Sequence, residues 1–98
     1  MAEHPGVAFK NGPTGRRAAL ASGPDIWEVV TFLQEIDERG PAALGAAAEN
    51  LNLDLARVRV ATRYYTAYTA EIDAEIEQAE EESRAAQVAW EAEQRLLA

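Results

Sequence analysis

Ala48-Glu49-Asn50-Leu51-Asn52-Leu53-Asp54-Leu55-Ala56-Arg57-Val58 is the stretch that decides the fold. It fits the helix-turn-helix register Ala-x-x-Leu-Gly-Val-Ser-x-x-x-Val. Ala48 is small enough to let two helices cross, and Leu51, Leu53 and Val58 fill the wedge between them. Asn52 stands where glycine usually takes a positive φ, and Asn is the best substitute there. Asp54 takes the N-cap position of the second helix. Two readings are open: a structural two-helix hairpin, or a recognition helix that enters a major groove. On a helical wheel Arg59 and Arg63 sit together, roughly opposite the stripe from Val58 to Tyr65, and so face solvent; Arg57 lies near the stripe's edge. With Arg16 and Arg17 upstream, these arginines make a modest electrostatic footprint for DNA when a homodimer doubles it.

Upstream of this unit, Pro41 to Asn50 reads as a short, Ala-rich helix. Before it, Ile26, Val29, Val30, Leu33 and Ile36 recur at helical spacing, with Trp27 and Phe32 on the flanks. Asp25 and Glu28 are spaced as a capping box at the start of that helix. Arg39-Gly40-Pro41 is expected to end it, Gly40 accepting the left-handed cap and Pro41 opening the next helix. Further upstream, Val7–Lys10 and Arg17–Leu20 flank Asn11-Gly12-Pro13-Thr14-Gly15, strong turn chemistry that predicts a β-hairpin. An isolated hairpin is marginal in water, so it must lean on the helices or on a second copy.

Downstream, Val58, Ala61, Tyr65, Tyr68, Ile72 and Ile76 continue an apolar stripe, with a local break expected at Thr69-Ala70, where Thr69 caps a new acidic turn. The tail to Leu97 is rich in Ala, Glu and Gln, all strong helix formers. Glu80–Arg84 and Glu91–Arg95 are i,i+4 pairs in the favourable orientation, each contributing about 0.2–0.5 kcal/mol to an isolated helix. The fold class expected is mainly α: a small N-terminal β-hairpin, a helix-turn-helix head and a long C-terminal helical arm. The divisions are a flexible N-terminus over 1–6, the head over 7–70 and the arm over 71–98.

Charge follows the same division. The 98 residues carry a formal charge of −8. Residues 1–70 hold seven basic and eight acidic side chains, net −1; residues 71–98 hold two basic and nine acidic, net −7. A near-neutral head and an acidic arm imply separate tasks. Three readings of the arm compete: a solvated tail, a homotypic coiled coil, or a helix that folds onto another protein. Trp90 and Leu96-Leu97 are out of place in the first, and Ala79, Ser83 and Glu93 spoil the seam of the second. The third suits a basic groove, with Ile72, Ile76, Trp90, Leu96 and Leu97 as anchors, the carboxylates as steering charge, and Arg84 and Arg95 as further candidate partner contacts.

Catalytic material is thin. His4 is the single His and lies beside Pro5 near an end expected to fray; neither Ser22 nor Ser83 sits in a nucleophile motif; there is no phosphate-binding loop. With no cysteine, disulfides and thiolate metal sites are excluded. No enzyme activity, cofactor or metal is expected. No apolar run nears the ~20 residues that a membrane helix needs. The N-terminus does not read as a signal peptide, which points to the cytoplasm.

Gly15-Arg16-Arg17-x-x-Leu20-x-x-Gly23, then Ile26-Trp27-Glu28-Val29-Val30, then Leu53-Asp54-x-x-x-Val58-Arg59-x-Ala61-x-x-Tyr64-Tyr65, then Glu71-Ile72-Asp73, in that order, resembles the antitoxin-like "domain of unknown function 433" family over about residues 7–76. The resemblance implies a hairpin plus helix-turn-helix fold in a type II toxin–antitoxin module whose partner toxin is a PIN-type nuclease. The family's Gly-Thr-Arg-Ile-Pro segment before the first helix is here Ser22-Gly23-Pro24-Asp25-Ile26, which removes a basic residue. Residues after 77 lie outside the resemblance. The combined expectation is an antitoxin, a homodimer that binds operator DNA with its head and its cognate toxin with its arm. The alternative is a stand-alone transcriptional regulator with an oligomerising tail.

Overall fold

A computed structural model describes residues 5–12 and 15–98. The order of elements is β1 (Val7–Gly12), β2 (Gly15–Leu20), α1 (Ile26–Glu35), α2 (Pro41–Leu51), α3 (Leu55–Ala67) and α4 (Thr69–Leu97). The mainly helical class with an N-terminal hairpin and a long last helix is as the sequence implies. His4 and the turn residues Pro13 and Thr14 lie outside the described residues.

The two strands are antiparallel, with Val7 opposite Leu20, Lys10 opposite Arg17 and Gly12 opposite Gly15. Pairing thus runs two residues closer to the turn on each side than strand propensity alone predicts. The hairpin leans on the helices: Ala18 and Leu20 join a core with Ile26, Val29, Val30, Ala47, Val58, Ala61, Tyr64 and Ile72. Residue 6 does not belong to a flexible end, because the Gly6 carbonyl accepts from Ala21 N–H at 2.8 Å.

Helix α1 begins where the Glu28 carboxylate accepts the Asp25 backbone N–H at 2.9 Å, the expected pairing of a capping box. It stops at Glu35, well short of Arg39-Gly40. Its exit is held by Arg39 instead, whose guanidinium donates to the carbonyls of Ile36, Asp37 and Glu38 at 3.0–3.1 Å. Gly40, with φ 61°, is the N-cap of α2 rather than the C-cap of α1, and Pro41 follows at the first turn of α2.

The helix-turn-helix chemistry is in place. Asn52 takes φ 57° and ψ 49°, and its N–H closes on the Ala48 carbonyl. Leu53 N–H donates to the same carbonyl at 2.9 Å. The Asp54 carboxylate accepts Arg57 N–H at 2.8 Å and caps α3. Ala47 and Val58 are fully buried where α2 and α3 meet, with Ala48, Leu51 and Leu53 half-buried around them.

Helix α3 ends one residue earlier than expected, at Tyr68 (φ −133°, ψ 50°), and Thr69 does not cap α4. Its hydroxyl instead donates back to the Tyr65 carbonyl at 2.7 Å. Tyr64, not Tyr65 or Tyr68, is the buried aromatic, and α4 re-enters the core with Ile72. Two hydroxyl–carboxylate bonds straddle the break: Tyr64 to Glu71 at 3.1 Å and Tyr65 to Asp73 at 2.8 Å. Burial, then the charge and hydrogen bond of Glu71, push the Tyr64 hydroxyl up to about 12. The Asp73 hydrogen bond raises that of Tyr65.

The boundary between head and arm therefore falls later than residue 70. Ile72 is fully buried, Ile76 is packed against the core, and every residue from 80 to 98 is exposed. Among the described residues no helix is long and apolar enough to cross a membrane.

Candidate functional site

Two surfaces remain once the core is assigned. The first is the outer face of α3. Its Asp54 cap fixes the start of the helix, so Arg59 and Arg63 project one turn apart on the side away from Val58 and Ala61. Both are exposed, and with Leu55, Ala56 and Val60 they line a shallow groove of about 410 Å³.

The other arginines read from the sequence are not brought to this face as free cations. Arg57 turns its guanidinium inward and donates to the Ala21 carbonyl, holding the β2–α1 loop against α3. The approach is close: a Cβ at Gly23 would lie 2.5 Å from Arg57 Nη2. Arg17 Nε lies 2.9 Å from Asp25 Oδ2 as an ion pair. Arg16 is exposed but stacks over the Phe9 ring at 4.2 Å, and Phe9 in turn meets Tyr64 edge-on at 6.4 Å between centroids. Arg57 and Arg17 are thus each held by an oxygen of the fold, the Ala21 carbonyl and the Asp25 carboxylate. Of the five arginines, Arg59 and Arg63 are the two whose guanidinium groups have no partner among the described residues.

The second surface is the arm. Trp90, Leu96 and Leu97 stay 56%, 82% and 72% exposed. Ala86, Ala89, Trp90, Ala92, Glu93 and Leu96 border a shallow concavity of about 660 Å³ along it. The side-chain contacts along the arm are amide to carboxylate, Gln78 to Glu82 at 3.1 Å and Gln87 to Glu91 at 3.0 Å. The ion pairs among the described residues converge on Asp25, so Arg84 and Arg95 keep their guanidinium groups for solvent. Ile72 and Ile76 are not on this surface. They are part of the head's core, where an apolar side chain gains more than it can in water.

One constellation was not visible in the sequence. Asp25, only 6% exposed, receives Lys10 Nζ at 3.0 Å, Arg17 Nε at 2.9 Å and Trp27 Nε1 at 3.2 Å. A cleft of about 640 Å³ opens beside it, between the hairpin, the start of α1 and the second and third turns of α4. Glu75 on α4 lines this cleft. Burial, then the negative charges of Glu71 and Asp25, raise its carboxyl above the usual range. A signal existed in the hairpin. Lys10 and Arg17 are cross-strand neighbours, and like charges directly opposite destabilise a ladder unless a carboxylate bridges them.

No family model, curated protein or solved structure matches the chain.

Proposed function

We propose that the chain is the antitoxin of a type II toxin–antitoxin module, neutralising a PIN-type ribonuclease with its arm and binding its own operator through α3. The observation that carries this reading is the exposure of the arm. A helix of eighteen consecutive exposed residues, 80–97, gains nothing from the fold that bears it, yet it displays Trp90, Leu96 and Leu97. Large apolar side chains with no neighbour of their own are anchors for a partner. The resemblance of residues 7–76 to an antitoxin-like family supplies the class of that partner.

The mechanism follows from charge. A ribonuclease with a carboxylate-held Mg²⁺ needs a basic approach for RNA. The six acidic residues between 77 and 98 compete with RNA for that approach, while Trp90 and the two leucines supply the apolar contact. Arg84 or Arg95 reaches the catalytic carboxylates. The test is full-length protein carrying Trp90→Ala, Leu96→Ala and Leu97→Ala, assayed for inhibition of RNA cleavage by the PIN-type nuclease. Inhibition should fall at least a hundredfold; inhibition equal to that of the parent refutes the arm's role.

On the DNA side, Arg59→Ala with Arg63→Ala should weaken operator binding. It should also lower the log–log salt slope by about one unit for each phosphate no longer neutralised. An unchanged gel-shift titration would show that the two arginines do not touch DNA.

A further inference from the structure

The α3 groove and the arm are both apolar at their floors and opposite in charge at their edges. The first has a carbon floor of Leu55, Ala56 and Val60 edged by two guanidinium groups. The second has a carbon floor of Ala86, Ala89 and Trp90 edged by Glu93. We infer that the arm of a second copy of this chain docks in the α3 groove, with Trp90 and Leu96 against Leu55 and Val60 and Glu93 against Arg59 and Arg63. The exchange is reciprocal, so it closes as a two-fold dimer.

The occupant is a second copy because the chain's own arm cannot reach. Helix α4 is continuous from Thr69 to Leu97, contains no Gly or Pro, and carries its last 21 residues roughly 30 Å away from the core at 1.5 Å per residue. Bending it back would break the helix. Arm-to-arm packing is disfavoured by charge: residues 77–98 hold six acidic and two basic side chains, and two such helices repel. Head-to-arm packing brings those acids to the two arginines that the fold leaves free. The consequence is competition, since the arm of one copy covers the α3 face of the other and any ligand of either surface must displace it. This inference requires neither a nuclease nor an operator, and its test uses the chain alone.

Because the chain has no cysteine, cross-links report cleanly. Full-length protein with Ala56→Cys and Ala89→Cys, oxidised at micromolar concentration, should form dimers whose bond maps to positions 56 and 89. Ala89→Cys alone should give no covalent dimer. Efficient 89–89 cross-linking in the single variant would establish arm–arm packing and overturn the inference. In sedimentation at low salt the parent should dimerise, and R59E with R63E, or W90A, should each weaken the dimer at least tenfold with helix content unchanged. A monomeric parent at 100 μM, or a dimer that survives both changes, would also overturn it.

Discussion

Replacing Asp25 by alanine removes the one carboxylate on which Lys10, Arg17 and the Trp27 indole converge. The mutation leaves two cations facing each other across the hairpin, and an indole N–H without its acceptor. A hydrogen bond to a charged group contributes about 1.5–3 kcal/mol. The three contributions do not simply add, because the Lys10 and Arg17 side chains are 47% and 34% exposed and water restores part of their solvation. The expected loss is therefore about 2–3 kcal/mol, close to that of a single charged hydrogen bond at full strength. For a domain of this size each kcal/mol lowers Tm by about 4–8 °C, so Asp25→Ala should melt about 8–24 °C below the parent. Near-UV circular dichroism of the Trp27 band is the right probe, because far-UV signal is dominated by the arm.

Asp25→Asn keeps an acceptor for the indole and should lose about half as much. A double-mutant cycle with Arg17→Met should show coupling above about 0.5 kcal/mol. If Asp25→Ala melts within about 3 °C of the parent, the convergence on Asp25 is not what fastens the hairpin to α1, and the reasoning fails.

Ile72→Ala should cost about 2–5 kcal/mol in urea unfolding, as a large buried side chain does, whereas Trp90→Ala should stay within about 0.5 kcal/mol; equal effects would contradict the placement of the head's boundary beyond residue 76. Asn52→Val, forced into a left-handed conformation, should cost at least about 1–2 kcal/mol, and Asn52→Gly should be near neutral by the same measurement. Glu75 has a folded-state pKa above its ordinary 4.5, so the native state holds its proton more tightly than the unfolded chain. Stability on this account falls as pH rises through the interval from 4.5 to the raised value. Glu75→Gln should be more stable than the parent at pH 7, with the gain disappearing below pH 4.5; a gain independent of pH would show that the carboxylate's charge is not the cause. Tyr64, raised from 10.0 to about 12, makes the fold lose stability between those pH values, and Tyr64→Phe should remove that alkaline limb from a plot of unfolding free energy against pH.

What the sequence revealed was local, and what it hid was tertiary. Asn52 and Asp54 declare their roles because a left-handed turn and an N-cap each need one residue type at one position. The aromatic stripe was misread for a definite reason. Stepping by three and four from Val58 reaches Tyr65, which is only partly buried against the core, whereas Tyr64, a step of three from Ala61 in the same helix, is the enclosed aromatic, where Phe9 of the hairpin meets it. Ile72 was assigned to the arm because charge was used to place the boundary, whereas the core extends past the point where acids begin to dominate. Arg57 and Arg17 looked available because nothing local shows that Ala21 and Asp25 come within reach. Those contacts span 36 and 8 positions of sequence, and only the packing of the hairpin on α1 and α3 creates them.

The same contacts decide where free charge is left. Of the seven cations before residue 71, Lys10 and Arg17 sit on Asp25, Arg39 on the carbonyls after α1, Arg57 on Ala21 and Arg16 on the Phe9 ring. Arg59 and Arg63 are the two whose guanidinium groups have no partner among the described residues. On α4, Glu71 and Asp73 are held by tyrosine hydroxyls and Glu75 faces the hairpin, so the acids with no hydrogen bond to the head are those beyond residue 76. The total of −8 thus contains a face of two positive charges and an arm of net −4 over residues 77–98, the remaining −6 being spread over the rest of the chain. The arm is about 30 Å long, several times the ~8 Å Debye length at physiological salt, so a ligand at either end senses its own surface and not the total. A nucleic acid at α3 and a basic protein at the arm's tip meet different potentials on one chain. They exclude each other only when the arm of a second copy lies across α3.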